Sequence, residues 1–146
     1  MSDYVIKIIP LDPYAHIASK NVQQAVDFLK RSFEDVSVVT HETPVFVDCG
    51  ENLEKINCPS CGAEMDFGWW QESMSEAYAK DFVSLEIETP CCRRVSSLNE
   101  LEYYFPCGFA CIELDIFTPV TEPDEECLAA VQALLGEKLR VIRSHL

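Results

Sequence analysis

Two cysteine pairs carry the side chains in this sequence whose type and spacing specify a chemistry: Cys58-Pro59-Ser60-Cys61-Gly62, and the adjacent Cys91 and Cys92. Thiolates two residues apart can face one tetrahedral ion, and Pro59 with Gly62 favours a tight turn that aims backbone N–H groups at the sulfurs. Adjacent cysteines are less regular. Pro90 before Cys91 and Cys92, and Arg93 and Arg94 after them, make a sharp turn there, so both sulfurs can reach the same ion. The arginines offset the double negative charge of a four-thiolate centre. A competing arrangement keeps one of the second pair as a core thiol and fills the fourth position with Cys107, Cys111, Cys49 or His41. A redox role for Cys58 and Cys61 needs a strand-to-helix junction, whereas Gly62 and the residues 65–67 predict a turn followed by a short strand.

The run Cys-Pro-x-Cys-Gly resembles the first knuckle of a zinc ribbon. The resemblance covers about five residues directly, and about 40 if Cys91 and Cys92 complete it. It implies one structural Zn2+ held by Cys58, Cys61, Cys91 and Cys92, with no position left open for a reacting water. Other catalytic patterns are missing from the sequence. His16, His41 and His145 are scattered, and there is no His-Glu-x-x-His helix or Gly-x-Ser-x-Gly elbow. Cys58-Pro59-Ser60-Cys61 also lacks the upstream His-x-Glu of a zinc deaminase. A non-enzymatic protein is expected, with no catalytic residues. Cys111 and Cys127 fall on apolar faces and read as small hydrophobes, while Cys49 and Cys107 flank the metal-like middle of the chain.

The elements that must position these cysteines follow from periodicity. Residues 4–9 are β-branched and aromatic and end at Pro10, which predicts a buried strand. Ser19 reads as a helix N-cap, and Val22, Ala25, Val26, Leu29 and Phe33 share one helical face. Residues 36–40 and 45–47 read as strand, with Pro44 requiring an edge or a bulge. Residues 108–117 alternate at Ile112, Leu114 and Ile116, predicting a strand with one buried face. Thr121, Pro123 and the acids Asp124, Glu125 and Glu126 start a second helix that Gly136 stops, and residues 139–142 form the last strand. The order strand, helix, strand, strand, helix, strand is that of a ferredoxin-like βαββαβ sandwich, an α+β fold. Residues 1–146 are expected to form one domain, with residues 49–106 as a zinc-ribbon-like insertion between the second and third strands. The two β-α-β halves are alike in layout, and no internal sequence repeat is expected.

Bulk properties narrow the partners. The formal charge is −14, which disfavours nucleic acid and anionic membrane surfaces. Residues 51–105 hold eleven acids and four bases, a local net of −7. The start of the sequence lacks a secretory pattern, and no apolar run approaches the roughly 20 residues of a membrane span. A cytoplasmic location, where thiols stay reduced, is expected.

Within the insertion, Trp69 and Trp70 precede a helix-like stretch at 72–80, and Tyr103 and Tyr104 follow a second at 98–102. Together with Glu72, Glu76, Glu100 and Glu102 they form a candidate surface for a basic protein partner. The alternative is that the rings seal the insertion against the sandwich. The compact, acidic character is similar to that of bacterial toxin-immunity proteins, which implies an inhibitor of a basic toxin or nuclease. Two other readings stand beside it: a zinc-ribbon module in nucleic-acid metabolism, and a thiol redox or metal-handling protein.

Overall fold

The computed structural model describes residues 4–145. The chain begins with strand β1 (Tyr4–Pro10), helix α1 (Ser19–Leu29) and strand β2 (Val36–Val47). It then passes through a middle region: β3 (Lys55–Asn57), α2 (Phe67–Tyr78), β4 (Glu86–Glu88), β5 (Val95–Ser97) and β6 (Glu102–Tyr104). β7 (Gly108–Phe117), α3 (Glu125–Leu135) and β8 (Leu139–His145) complete it. The result is a mixed α+β structure of antiparallel sheets. The main sheet has the order β2-β7-β1-β8, with β1 antiparallel to both neighbours.

Helices α1 and α3 cover one face of this sheet. Ala25, Val26 and Leu29 from α1 meet Val131 and Leu135 from α3 over Ile6, Ile8, Leu114 and Ile116. Val22 and Leu128 are only half-buried at the margin of this layer. The α3 start is capped by Asp124, whose carboxylate accepts from the Cys127 N–H at 2.8 Å, with Glu125 and Glu126 in the first turn. Gly136 ends the helix in the left-handed conformation at φ 74°. The predicted cap of α1 is corrected: Ser19 is the first helical residue, Ala18 occupies the cap position, and no side chain caps the helix. Pro44 behaves as its missing N–H requires. β2 is an edge strand, and its register against β7 shifts between Thr40 and Val45.

β7 departs from the one-faced strand that its alternation predicts. Nearly all of it is buried, because the middle region packs onto the sheet face that the helices leave open. Ile9, Val47, Phe109 and Ile142 of the main sheet join Ile56, Met65, Phe82, Leu85, Leu98 and Tyr103 of the middle region in a second apolar layer. Phe109 is fully buried between Phe46 and Phe82, its ring centroid 5.2 Å from each. Asn99, also buried, ties the layers together. Its amide donates to Leu11 O at 3.2 Å, its carbonyl accepts from Phe109 N at 2.8 Å, and Arg140 donates to Asn99 O and Cys107 O at 3.1 and 2.9 Å.

Three local expectations in the middle region are corrected. Residues 98–102 are not a helix: 98–101 turn and lead into β6, which starts at Glu102. The run Phe82-Val83-Ser84-Leu85-Glu86-Ile87-Glu88, strand-like in sequence and leading to the second cysteine pair, contributes only the short β4, because Asp81 and Phe82 adopt positive φ and turn the Phe82 ring into the core. Helix α2 starts before the tryptophans, with Asp66 as its N-cap accepting from Trp69 N. Residues 65–67 are therefore not a strand.

Candidate metal centre

The first knuckle grows out of β3. β3 pairs with β6, and the chain then reverses so that Asn57 bridges Glu64 and Met65 N donates to Ile56 O at 2.7 Å. Within that reversal Gly62 N donates to Cys58 O at 2.9 Å and Cys58 N to Ala63 O at 2.8 Å. Gly62 lies at φ +77°, the left-handed region that glycine enters without a Cβ clash. Ser60 N points at Cys58 Sγ from 3.4 Å. This is the N–H-to-sulfur geometry that the sequence predicts from Pro59 and Gly62.

The second pair lies in the turn joining β4 to β5. There Arg93 N donates to Thr89 O at 2.7 Å and Thr89 N to Arg94 O at 3.0 Å, and Arg93 takes φ 55°. Hydrogen bonds and positive φ thus fall at the same places as in the first knuckle. The sequence shows the reason once the two are laid side by side: Thr89-Pro90-Cys91-Cys92-Arg93 repeats Cys58-Pro59-Ser60-Cys61-Gly62 in its proline and final cysteine. The expectation of no internal repeat is corrected to this extent. Thr89 is fully buried, and its Oγ1 lies 3.2 Å from Cys92 Sγ. Sequence reasoning passed over it because threonine is not a metal ligand type.

The two turns bring Cys58, Cys61, Cys91 and Cys92 together, with all four sulfurs within 4.8 Å of one another. Cys58 Sγ is 3.8 Å from Cys92 Sγ, and Cys61 Sγ is 3.4 Å from Cys91 Sγ. A tetrahedron with metal–sulfur arms of about 2.3 Å has edges of about 3.8 Å. The donor set therefore fits a tetrahedral, sulfur-preferring ion with little movement. Burial pushes the Cys58 thiol up, but the backbone N–H groups of Cys61 and Ser60, together with hydrogen bonds from the Cys91 and Cys61 thiols, outweigh it and hold the thiol down to about 6. Cys91 moves the other way, to about 12, through desolvation and its hydrogen bonds to the Cys61 and Cys58 sulfurs. Without an ion Cys58 is thus held toward the thiolate and Cys91 toward the thiol. An ion lets all four deprotonate, because it replaces the protons as the positive charge between the sulfurs.

The competing fourth ligands lie elsewhere. Cys49 and Cys107 are buried at the junction of the middle region with the main sheet, their sulfurs 3.2 Å apart. Burial first, and then Cys49, push the Cys107 thiol well up. The Cys111 thiol faces Pro13 O.

The candidate partner surface is divided by the structure. Tyr103 is corrected from a surface contact to a core residue: it is 6% exposed, and its hydroxyl donates to Leu98 O at 2.7 Å while accepting from Trp70 Nε1 at 3.1 Å. The Trp70 ring meets Phe46 edge-on at 5.7 Å, sealing the middle region onto the sheet. Trp69 and Glu76 instead line a cleft of about 310 Å³ with Lys80, Glu86, Glu88 and Leu98. Glu72 is exposed beside it on α2. Tyr104, under Lys55 at 4.9 Å, and Glu102 line a different concavity with Arg140, and Glu100 lies in a third beside Asp12 and Lys138.

No protein-family model, curated protein or solved structure matches the chain. Among the described residues, no helix is long and apolar enough to cross a membrane.

Proposed function

We propose that the protein is a non-enzymatic binding protein whose four cysteines hold one structural zinc ion, and whose zinc-fixed insertion presents an acidic cleft to a basic protein partner. The observation that carries this reading is the continuity of metal centre and cleft. Glu86 and Glu88 of β4 line the cleft, and the residue after Glu88 is Thr89, the first of the second knuckle. Fixing that turn fixes the strand. Four thiolates complete the zinc coordination, so the ion supplies rigidity rather than chemistry. Glu76, Glu86 and Glu88 against the single base Lys80, with the Trp69 ring beside them, suit an incoming Lys or Arg side chain. An immunity-type inhibitor of a basic toxin or nuclease is the most concrete form, acting inside the cell. The strand order of the main sheet supports assigning the surrounding frame to the ferredoxin-like βαββαβ arrangement.

Elemental analysis of freshly purified protein tests the metal, with about one zinc per chain expected. Capture from host lysate followed by binding kinetics tests the partner. Glu76→Gln, Glu86→Gln and Glu88→Gln combined should slow association and flatten its salt dependence, since exposed charges steer encounter. Protein without stoichiometric zinc, or a captured partner whose binding ignores the triple change, would count against the respective half.

A further inference from the structure

We infer that Thr89 occupies the first ligand position of the second knuckle, and that in this chain it acts as a positioning residue which orients the Cys92 sulfur toward the ion. The inference rests on the zinc reading and goes beyond it by explaining why the second pair is adjacent. The two turns share one backbone design. In each, the fifth residue donates to the carbonyl of the first, at 2.9 Å for Gly62 to Cys58 and 2.7 Å for Arg93 to Thr89. In each, the first residue donates to the carbonyl of the sixth, at 2.8 Å for Cys58 to Ala63 and 3.0 Å for Thr89 to Arg94. The fifth residue has positive φ in both, although in the second turn it is an arginine. The first residues, Cys58 and Thr89, are both fully buried.

In this common frame Cys92 corresponds to Cys61, Thr89 to Cys58, and Cys91 to Ser60. The sulfur that a regular knuckle would carry at its first position has moved two residues along, to Cys91. A hydroxyl remains in its place.

That hydroxyl has a defined task. Thr89 Oγ1 lies 3.2 Å from Cys92 Sγ, and the Arg94 N–H donates to it at 3.3 Å. Once an ion holds Cys92 as a thiolate, the sulfur has no proton to give, so the hydroxyl is the donor of that hydrogen bond. Arg94 O, 3.3 Å away, is the competing acceptor, and the negative sulfur is the stronger one. Groups of this kind, which hold a ligand without touching the metal, change metal affinity roughly 10–100-fold when removed.

Two sets of variants test the inference, read by chelator competition and by the thiolate-to-metal absorption of the cobalt-substituted protein. Thr89→Val keeps the shape and removes the hydroxyl. It should weaken metal binding about 10-fold or more, and Thr89→Ser should restore it. Cys91→Ser alone should lose a thiolate from the cobalt spectrum and most of the affinity. The double change Thr89→Cys with Cys91→Ser, which writes Cys-Pro-Ser-Cys into the second turn, should return a four-thiolate spectrum. Far-UV circular dichroism of each variant identifies any that fails to fold, in which case the Thr89→Val and Thr89→Ser comparison decides. If Thr89→Val binds metal as tightly as the wild type, or the folded double variant is no better than Cys91→Ser, the inference falls while the zinc centre stands. A wild-type chain that takes up no metal would overturn both.

Discussion

Replacing Phe109 by alanine tests whether the insertion and the sheet share one packed layer. The ring is fully buried and lies 5.2 Å from both Phe46 of β2 and Phe82 of the insertion. Truncating a buried phenylalanine costs about 3–5 kcal/mol, and losing two aromatic pairs, each worth about 0.5–1.5 kcal/mol beyond area, places Phe109→Ala toward the upper end. With an unfolding entropy of about 2.1 cal/mol/K per residue, this chain carries about 0.3 kcal/mol/K, so the midpoint should fall by about 10–16 °C. The assay is thermal unfolding followed by both circular dichroism and tryptophan emission. Trp69 and Trp70 are the two tryptophans of the chain, and both lie in the insertion, so native emission reports on that layer alone. Leu29→Ala, on the helix-covered face, should cost about 2–5 kcal/mol and leave native emission unchanged. A loss below about 2 kcal/mol for Phe109→Ala, or an equal emission change from Leu29→Ala, would refute the two-layer description.

Thiol labelling should separate the eight cysteines. In metal-loaded protein the quartet resists alkylation; a chelator should release exposed Cys61 first, with Cys91, exposed but held toward the thiol, behind it, while buried Cys49 and Cys107 lag. Mass spectrometry showing Cys61 alkylated at the same rate with and without chelator would contradict the metal centre. Glu113 is held up at about 8, first by burial and then by the Asp115 carboxyl beside it, with Asp48 raising and Lys7 lowering the value. A carboxyl with a folded value above its unfolded 4.5 binds its proton more tightly when folded, so its contribution is full below about 4.5 and is lost as pH rises through about 8. Urea midpoints should therefore fall between pH 6 and pH 9, and less so in Glu113→Gln; equal falls in both would refute this.

The main sheet and its helices were legible because their residues report burial through period. Val26, Leu29, Val131 and Leu135 recur at helical spacing, and Pro44 and Gly136 mark a bulge and a stop that backbone chemistry requires. The middle region has no such period. Its strands are three residues long, too short for alternation to register, and residues 98–101 turn because Leu98, Asn99 and Leu101 are each buried by tertiary contacts. Only two consecutive left-handed residues, Asp81 and Phe82, decide where the chain after α2 goes, and neither is a glycine that would announce it. The gathering of the four cysteines was readable from residue type and spacing. Thr89 was not, because its role comes from a backbone turn shared with the first knuckle. Among the aromatics, sequence alone could not divide buried Tyr103 from exposed Tyr104, nor show that both tryptophans pack half-buried against the second apolar layer.

The place of β1 in the sheet has a consequence for synthesis. This strand pairs with β7 on one side and β8 on the other, so Val5 lies opposite Phe117 and Ser144. Both partners come from the far end of the chain, and the insertion lengthens the wait. At about 5–20 residues per second, the first strand stays unpaired for about 5–20 s before β7 has been made. During that time Val5-Ile6-Lys7-Ile8-Ile9 is a β-prone apolar run with two open edges, interrupted by one charge at Lys7 and ended by Pro10. Those two residues act as gatekeepers on the nascent chain: Lys7 discourages stacking of like segments, and Pro10 stops a foreign strand from pairing onward.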